Sequence, residues 1–106
     1  MKEMYVDPGA RRFLAAEKAG RKIDVEIKSF VSHSEMRDFE QAIGQYIAYR
    51  DVLRKIEPGR DLYLAISEEI YEDLFEEPIG QLIVKNHGIR LIIFNQITEK
   101  IVRWIP

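Results

Sequence analysis

The stretch Lys22-Ile23-Asp24-Val25-Glu26-Ile27-Lys28 constrains the fold more than any other part of this chain. Three apolar residues, Ile23, Val25 and Ile27, alternate with three charged ones, Asp24, Glu26 and Lys28. Successive side chains of a strand point to opposite faces, so the pattern predicts a strand with one buried and one charged face. The charged face carries a carboxylate, Glu26, and an ammonium, Lys28, with Cα atoms roughly 6–7 Å apart. Carboxylates bind divalent cations, and a phosphate beside such a cation is stabilised by a further positive charge. Asp7, upstream, offers a second acid.

The rest of the chain falls into elements around this strand. Residues 3–7 read as a short strand or extended lead-in, closed by the turn signal Pro8-Gly9. Residues 10–18 read as a strand that turns at Ala19-Gly20 into the 22–30 strand, giving a hairpin. Ser32 with Glu35 three residues later forms a capping-box pattern, so a helix is expected to begin near His33. Met36, Phe39, Ile43, Ile47 and Leu53 supply its apolar stripe, and it ends before Pro58-Gly59. Leu62-Tyr63-Leu64-Ala65-Ile66 is a continuous apolar run of the kind buried on both faces of a sheet. Ser67 is placed to cap a further helix, with Glu68 and Glu69 in its first turn. Pro78 breaks that helix, a second segment over residues 79–86 stops at Gly88, and residues 89–94 and 100–105 form a closing hairpin. The resulting order is β-β-α-β-α-β-β: an α+β chain with helices packed on a mixed sheet, in one domain spanning residues 1–106.

Composition limits the chemistry. The chain has no cysteine, which excludes disulfides, thiolate metal sites and cysteine nucleophiles. Residues 1–7 lack a signal-peptide apolar run, and no stretch approaches a membrane span, so a cytoplasmic protein without membrane contact is expected. Sixteen basic and eighteen acidic residues leave a net charge of −2, a poor overall match to a nucleic-acid binder. The distribution is uneven, however. Arg11, Arg12, Lys18, Arg21, Lys22 and Lys28 form a basic first part, whereas Glu68, Glu69, Glu72, Asp73, Glu76 and Glu77 form an acidic block that reads as a solvated helix face. No Gly-x-Ser-x-Gly or phosphate-binding glycine loop is present. His33 and His87 stand alone and read as structural.

Each candidate has a plain structural alternative. Glu26 reads as a metal ligand or as a solvated strand residue. Asp7 reads as a second ligand or as the acid that an Asp-Pro-Gly turn uses for itself. Lys28 reads as a phosphate partner or as a lysine at a strand end. Asp24 shares the face of Glu26 but sits nearer the turn and is peripheral, and Glu17 is a weaker carboxylate candidate in the hairpin. Gln41, Gln45 and Tyr49, each four residues apart, form a line on the first helix suited to a DNA backbone or to orienting groups around a metal. Tyr46 and Tyr49 equally suit the helix surface or the core.

Asp7, Glu26-Ile27-Lys28 and Gln45-x-x-x-Tyr49 together resemble the PD-(D/E)xK nuclease superfamily. Within it, the chain is similar to XisH proteins, the fdxN-element excision controlling factors of cyanobacteria. The similarity lies in Met4-Tyr5-Val6-Asp7, Val25-Glu26-Ile27-Lys28-Ser29-Phe30, Glu40-Gln41-Ala42-Ile43-Gly44-Gln45-Tyr46 and Asp73-Leu74-Phe75-Glu76-Glu77-Pro78-Ile79-Gly80-Gln81-Leu82, and it extends to Pro106. The resemblance implies a restriction-endonuclease-like mixed sheet flanked by helices, here without the usual N-terminal helix and most of the first strand. It implies an endonuclease-like phosphodiesterase site at Asp7, Glu26 and Lys28, with Mg2+ or Mn2+ held by Asp7 and Glu26, and Gln41, Gln45 and Tyr49 beside it. The role implied is control of the excision of a DNA element, with DNA and a protein of the same excision system as partners. The alternative is a catalytically silent nuclease-fold module acting in a protein complex. A homodimer or larger assembly is expected because an uncovered sheet edge invites pairing.

Overall fold

A computed structural model of the chain describes residues 3–6, 12–18, 21–27 and 34–106; within the first three strands, the side chains described are those of Ile23, Asp24, Val25 and Ile27. Six strands form one sheet whose spatial order follows the sequence. β1 (Glu3–Val6), β2 (Arg12–Lys18) and β3 (Arg21–Ile27) make an antiparallel meander. β4 (Asp61–Ser67) runs parallel to β3, β5 (Leu91–Phe94) runs parallel to β4, and β6 (Ile101–Ile105) closes antiparallel against β5. The lead-in of residues 3–6 is therefore a paired strand, and three strands precede the first helix where the sequence order gave two.

The long helix α1 (Glu35–Ile56) crosses from β3 to β4. Its N-cap is Ser34, whose Oγ accepts from the Arg37 N–H at 3.2 Å, so the helix starts two residues later than the Ser32 pattern suggests. Ser32 lies outside the described residues. Position 37 carries an arginine, so no carboxylate reaches back to complete a capping box. At 3.6 residues per turn, Phe39, Ile43, Tyr46 and Leu53 fall in line, and all four are buried. Met36 and Ile47 lie to one side of that line; Met36 is 45% exposed and Ile47 only partly packed.

Ser67 caps α2 (Glu68–Ile70) as expected, its Oγ accepting from the Ile70 N–H at 3.3 Å. That helix runs on into a π-helical turn (Tyr71–Phe75). Pro78 opens α3 (Pro78–His87), and Gly88, at φ 58°, ends it in the left-handed conformation that glycine tolerates. Gly80 is needed for contact: a Cβ there would run into the Leu74 carbonyl oxygen and lie 2.6 Å from the Phe75 Cα.

β4 is buried on both faces, which explains its continuous apolar run. Leu62, Leu64 and Ile66 pack with Leu91 and Ile93 of β5 against Phe39, Ile43, Tyr46, Tyr71, Leu74 and Phe75 from the helical side. Tyr63, Ala65 and Ile92 join Ile23 and Val25 on the other face, where Trp104 meets the Tyr63 ring edge-on at 5.2 Å.

Candidate functional site at the carboxyl edge of the sheet

Strand direction and register bring the ends of the strands that precede Asp7 and Lys28 to one edge of the sheet. β1, β3, β4 and β5 all run the same way, so their carboxyl ends share one edge. Val6 pairs with Arg12, and Arg12 with Ile27, so Val6 and Ile27 stand level with β2 between them. Two strand spacings separate them, roughly 9–10 Å. Asp7 follows Val6 directly and Lys28 follows Ile27 directly; both lie outside the described residues. Glu26 is described as backbone: it pairs with Phe13 on one side and Leu64 on the other.

That register also settles which face position 26 occupies. Asp24 pairs with Leu62 and Glu26 with Leu64, and those two leucines belong to the core beneath the helices. Ile23, Val25 and Ile27 belong to the opposite apolar face. The alternation read from the sequence holds for Ile23, Asp24, Val25 and Ile27, with half-buried Asp24 on the face that β4 turns toward α1.

On α1, the line of candidate residues splits. Gln41 is exposed, whereas Gln45 and Tyr49 are half-buried and each has a partner. Tyr49 packs beside the main core. Tyr46 is a core residue: it is fully buried and its hydroxyl donates to the Leu62 carbonyl at 2.7 Å. Asp38 and Ala42, both buried, continue the line of Gln45 and Tyr49 toward the N-terminus of α1. This flank is turned away from the π turn and α3, since Phe39 meets Phe75 at 5.0 Å and Arg50 donates to the carbonyls of His87 and Gly88 on the other side. With β4 under α1, the flank lies toward β3.

Two charged residues escaped the sequence reading: Asp38, near the start of α1, and Arg60, at the amino end of β4 opposite the carboxyl edge. Asp38 had a signal, four residues before Ala42 and seven before Gln45 at helical spacing. Arg60 had none, because its meaning comes from strand pairing: its Nη1 donates to Asp24 Oδ1 at 2.7 Å and its Nε pairs with Glu57 Oε2 at 2.7 Å. Asp24 is thus engaged in an ion pair. At the far side of the edge, Asn95 Nδ2 donates to Glu68 Oε1 at 3.2 Å, and Asn95 Oδ1 accepts from the N–H groups of Ile97 and Thr98 at 2.9 Å each. Those polar groups tie the β5–β6 turn down. His87 is exposed at the end of α3, and His33 lies outside the described residues.

The chemistry of the donor set suits a hard cation. The candidates are carboxylates with no thiol, and oxygen donors select Mg2+ and Mn2+ over softer metals. Among the described residues, no group of three or more His, Cys, Asp or Glu is placed to hold a metal. Asp7 and Glu26 are the residues that would hold one.

Comparison with known proteins decides the family. The family model described as XisH protein matches residues 1–102. The chain belongs to the XisH family. A crystal structure of an XisH family protein from Nostoc punctiforme PCC 73102 is similar at TM-score 0.84 and 31% identity, covering 99% of this chain and 88% of that one. A crystal structure of an fdxN element excision controlling factor protein from Anabaena variabilis is similar at TM-score 0.84 and 33% identity, with the same coverage. A search of curated proteins finds no match. No described helix of this XisH-family chain is long and apolar enough to cross a membrane.

Proposed function

We propose that this chain is a DNA-associated factor that controls excision of a DNA element, with a PD-(D/E)xK-type, Mg2+-dependent phosphodiesterase site at Asp7, Glu26 and Lys28. The observation that carries the reading is positional. β3 delivers Glu26 to the α1 side one step from the carboxyl edge, and the strands preceding Asp7 and Lys28 end level at that edge. Parallel strands place ligand sites at their carboxyl ends, because the chain leaves the sheet there and side chains from separate strands converge. XisH-family membership supports the excision role, since a relative carries that description.

The chain's own residues divide the work. Asp7 and Glu26 would hold the cation, which when bound would lower the pKa of a water and polarise a phosphate. Lys28 places a fixed positive charge beside the phosphate as negative charge builds on its oxygens. Gln45 and Tyr49, on the α1 flank toward β3, cover the site and orient the groups that face it. A protein of the same excision system and a second copy of the chain are the partners in this reading.

The test is a Mg2+ and Mn2+ titration followed by thermal shift, with Glu26→Gln beside the native chain. A specific site raises the melting temperature by mass action. Glu26→Gln should abolish that rise and change the ion-free stability by less than about 0.5 kcal/mol. An ion-independent melt in the native chain would reject the metal site. Early melting of the variant without ions would show Glu26 to be structural.

A catalytically silent module is the second reading, favoured by one observation. Glu69, Glu72, Asp73, Glu76 and Glu77 are all exposed on a chain of net charge −2, which opposes a polyanion. Metal-dependent cleavage of duplex or single-stranded DNA by the native chain would exclude it.

A further inference from the structure

Asp24 and Glu26 stand two apart on β3 and share a face, opposite Leu62 and Leu64. Their Cα atoms are roughly 6–7 Å apart. Two strand carboxylates at this spacing would both attract the same divalent cation. The α1–β4 connection prevents it. α1 ends at Ile56, the Glu57 N–H donates to the Leu53 carbonyl at 2.7 Å, and the Arg60 N–H donates to the Glu57 carbonyl at 3.1 Å. This compact turn sets Arg60 immediately before Asp61, which pairs with Ile23 next to Asp24. The guanidinium reaches Asp24 Oδ1 at 2.7 Å while Glu57 Oε2 holds its Nε from behind at 2.7 Å. Both paired side chains are largely shielded, Arg60 at 18% and Asp24 at 22% exposure. An arginine keeps its charge at every accessible pH.

We propose that Arg60 silences Asp24, so that β3 offers a divalent cation one carboxylate instead of two. The cation site of Glu26 is kept weak by that arrangement, and its affinity is set from outside the acids that bind the metal. Affinity for hard cations follows the number of ligand charges. This inference rests on the reading of Glu26 as a metal ligand. Its sign separates it from a mere scaffold role. Losing a strand-positioning arginine would weaken cation binding, whereas losing a silencing arginine strengthens it.

With the strand spacing of roughly 6.5 Å taken as the charge-to-ion distance, one extra negative charge gives roughly a tenfold gain in divalent-ion affinity even at the dielectric of water. The experiment is Mn2+ titration by calorimetry on the native chain, Arg60→Met, Arg60→Lys and the double variant Asp24→Asn/Arg60→Met. Tighter Mn2+ binding by about tenfold in Arg60→Met, reversed in the double variant and absent in Arg60→Lys, is the expected result. Binding by the native chain that is unchanged or weaker in Arg60→Met overturns the proposal and leaves the metal reading of Glu26 standing. Absence of binding in all four proteins overturns both. Should Arg60→Met fail to fold, Arg60→Gln, which retains hydrogen-bond donors without the charge, carries the same expectations.

Discussion

Removing one oxygen atom from the centre of the molecule should have a measurable and pH-dependent cost. Tyr46 is fully buried, and its hydroxyl joins three elements. It donates to the Leu62 carbonyl of β4 at 2.7 Å and accepts from the Arg90 N–H, just before β5, at 3.2 Å. Tyr46→Phe keeps the ring and deletes both bonds. Each contributes about 1 kcal/mol net, and a buried N–H left unpaired adds to the loss, so the expected destabilisation is about 2 kcal/mol. With an unfolding entropy of about 2.1 cal/mol/K per residue over 106 residues, the melting temperature should fall by about 9 °C. Burial raises the Tyr46 pKa above its ordinary 10.0, opposed by the Arg90 N–H and by the charges of Arg50 and Arg90. The unfolded phenol therefore ionises first. Above pH 10.0 the folded state holds the extra proton, and its stability declines as pH rises toward the folded pKa. Phenylalanine has no such dependence. The stability gap between native chain and variant, measured by urea unfolding, should be constant at neutral pH and narrow above about pH 10. A loss under about 0.5 kcal/mol, or a gap that ignores pH, would refute the role assigned to this hydroxyl.

Gly80→Ala should destabilise the fold by about 3 kcal/mol, because backbone atoms of Leu74 and Phe75 occupy the space of the new methyl; chemical denaturation checks it. Lys28→Ala should lower DNA cleavage about a hundredfold while changing the slope of log affinity against log salt by only about 0.9 on duplex DNA. Equal losses in binding and turnover would reduce Lys28 to a backbone contact. The chain should be a dimer or larger at micromolar concentration. β6 is a sheet edge whose Ile101 and Val102 are 50% and 54% exposed, and a clean 12.5 kDa species in sedimentation would contradict that.

Features that depend on near neighbours in the chain were legible. The alternation of Ile23, Asp24 and Val25, the apolar run of β4, the Ser67 cap and the Gly88 stop all act over a few residues, and each appears where the sequence puts it. The errors arise where two local signals compete. Ser32 and Ser34 both suit an N-cap, and the cap belongs to Ser34. Met36 and Tyr46 both suit the stripe of α1. The helical angle and the polar anchor at Leu62 select Tyr46, whereas Met36 stays half in solvent.

The surroundings of the candidate acids were not legible in the sequence, and the reason is register. A strand's own sequence separates its two faces without saying which one meets the helices. That choice is made by the partners: Asp24 beside Leu62 and position 26 beside Leu64 share the register of the leucines packed under α1. The same pairing explains the surroundings of Asp24. Asp24 lies within reach of the residue that precedes β4, and that residue is an arginine. Parallel pairing carries the chain from Glu26 through α1 and back before Arg60 arrives, a separation of thirty-four positions that no local pattern spans. The ion pair of Asp24 is therefore set by the crossover that follows β3, and is a property of the βαβ unit rather than of the strand.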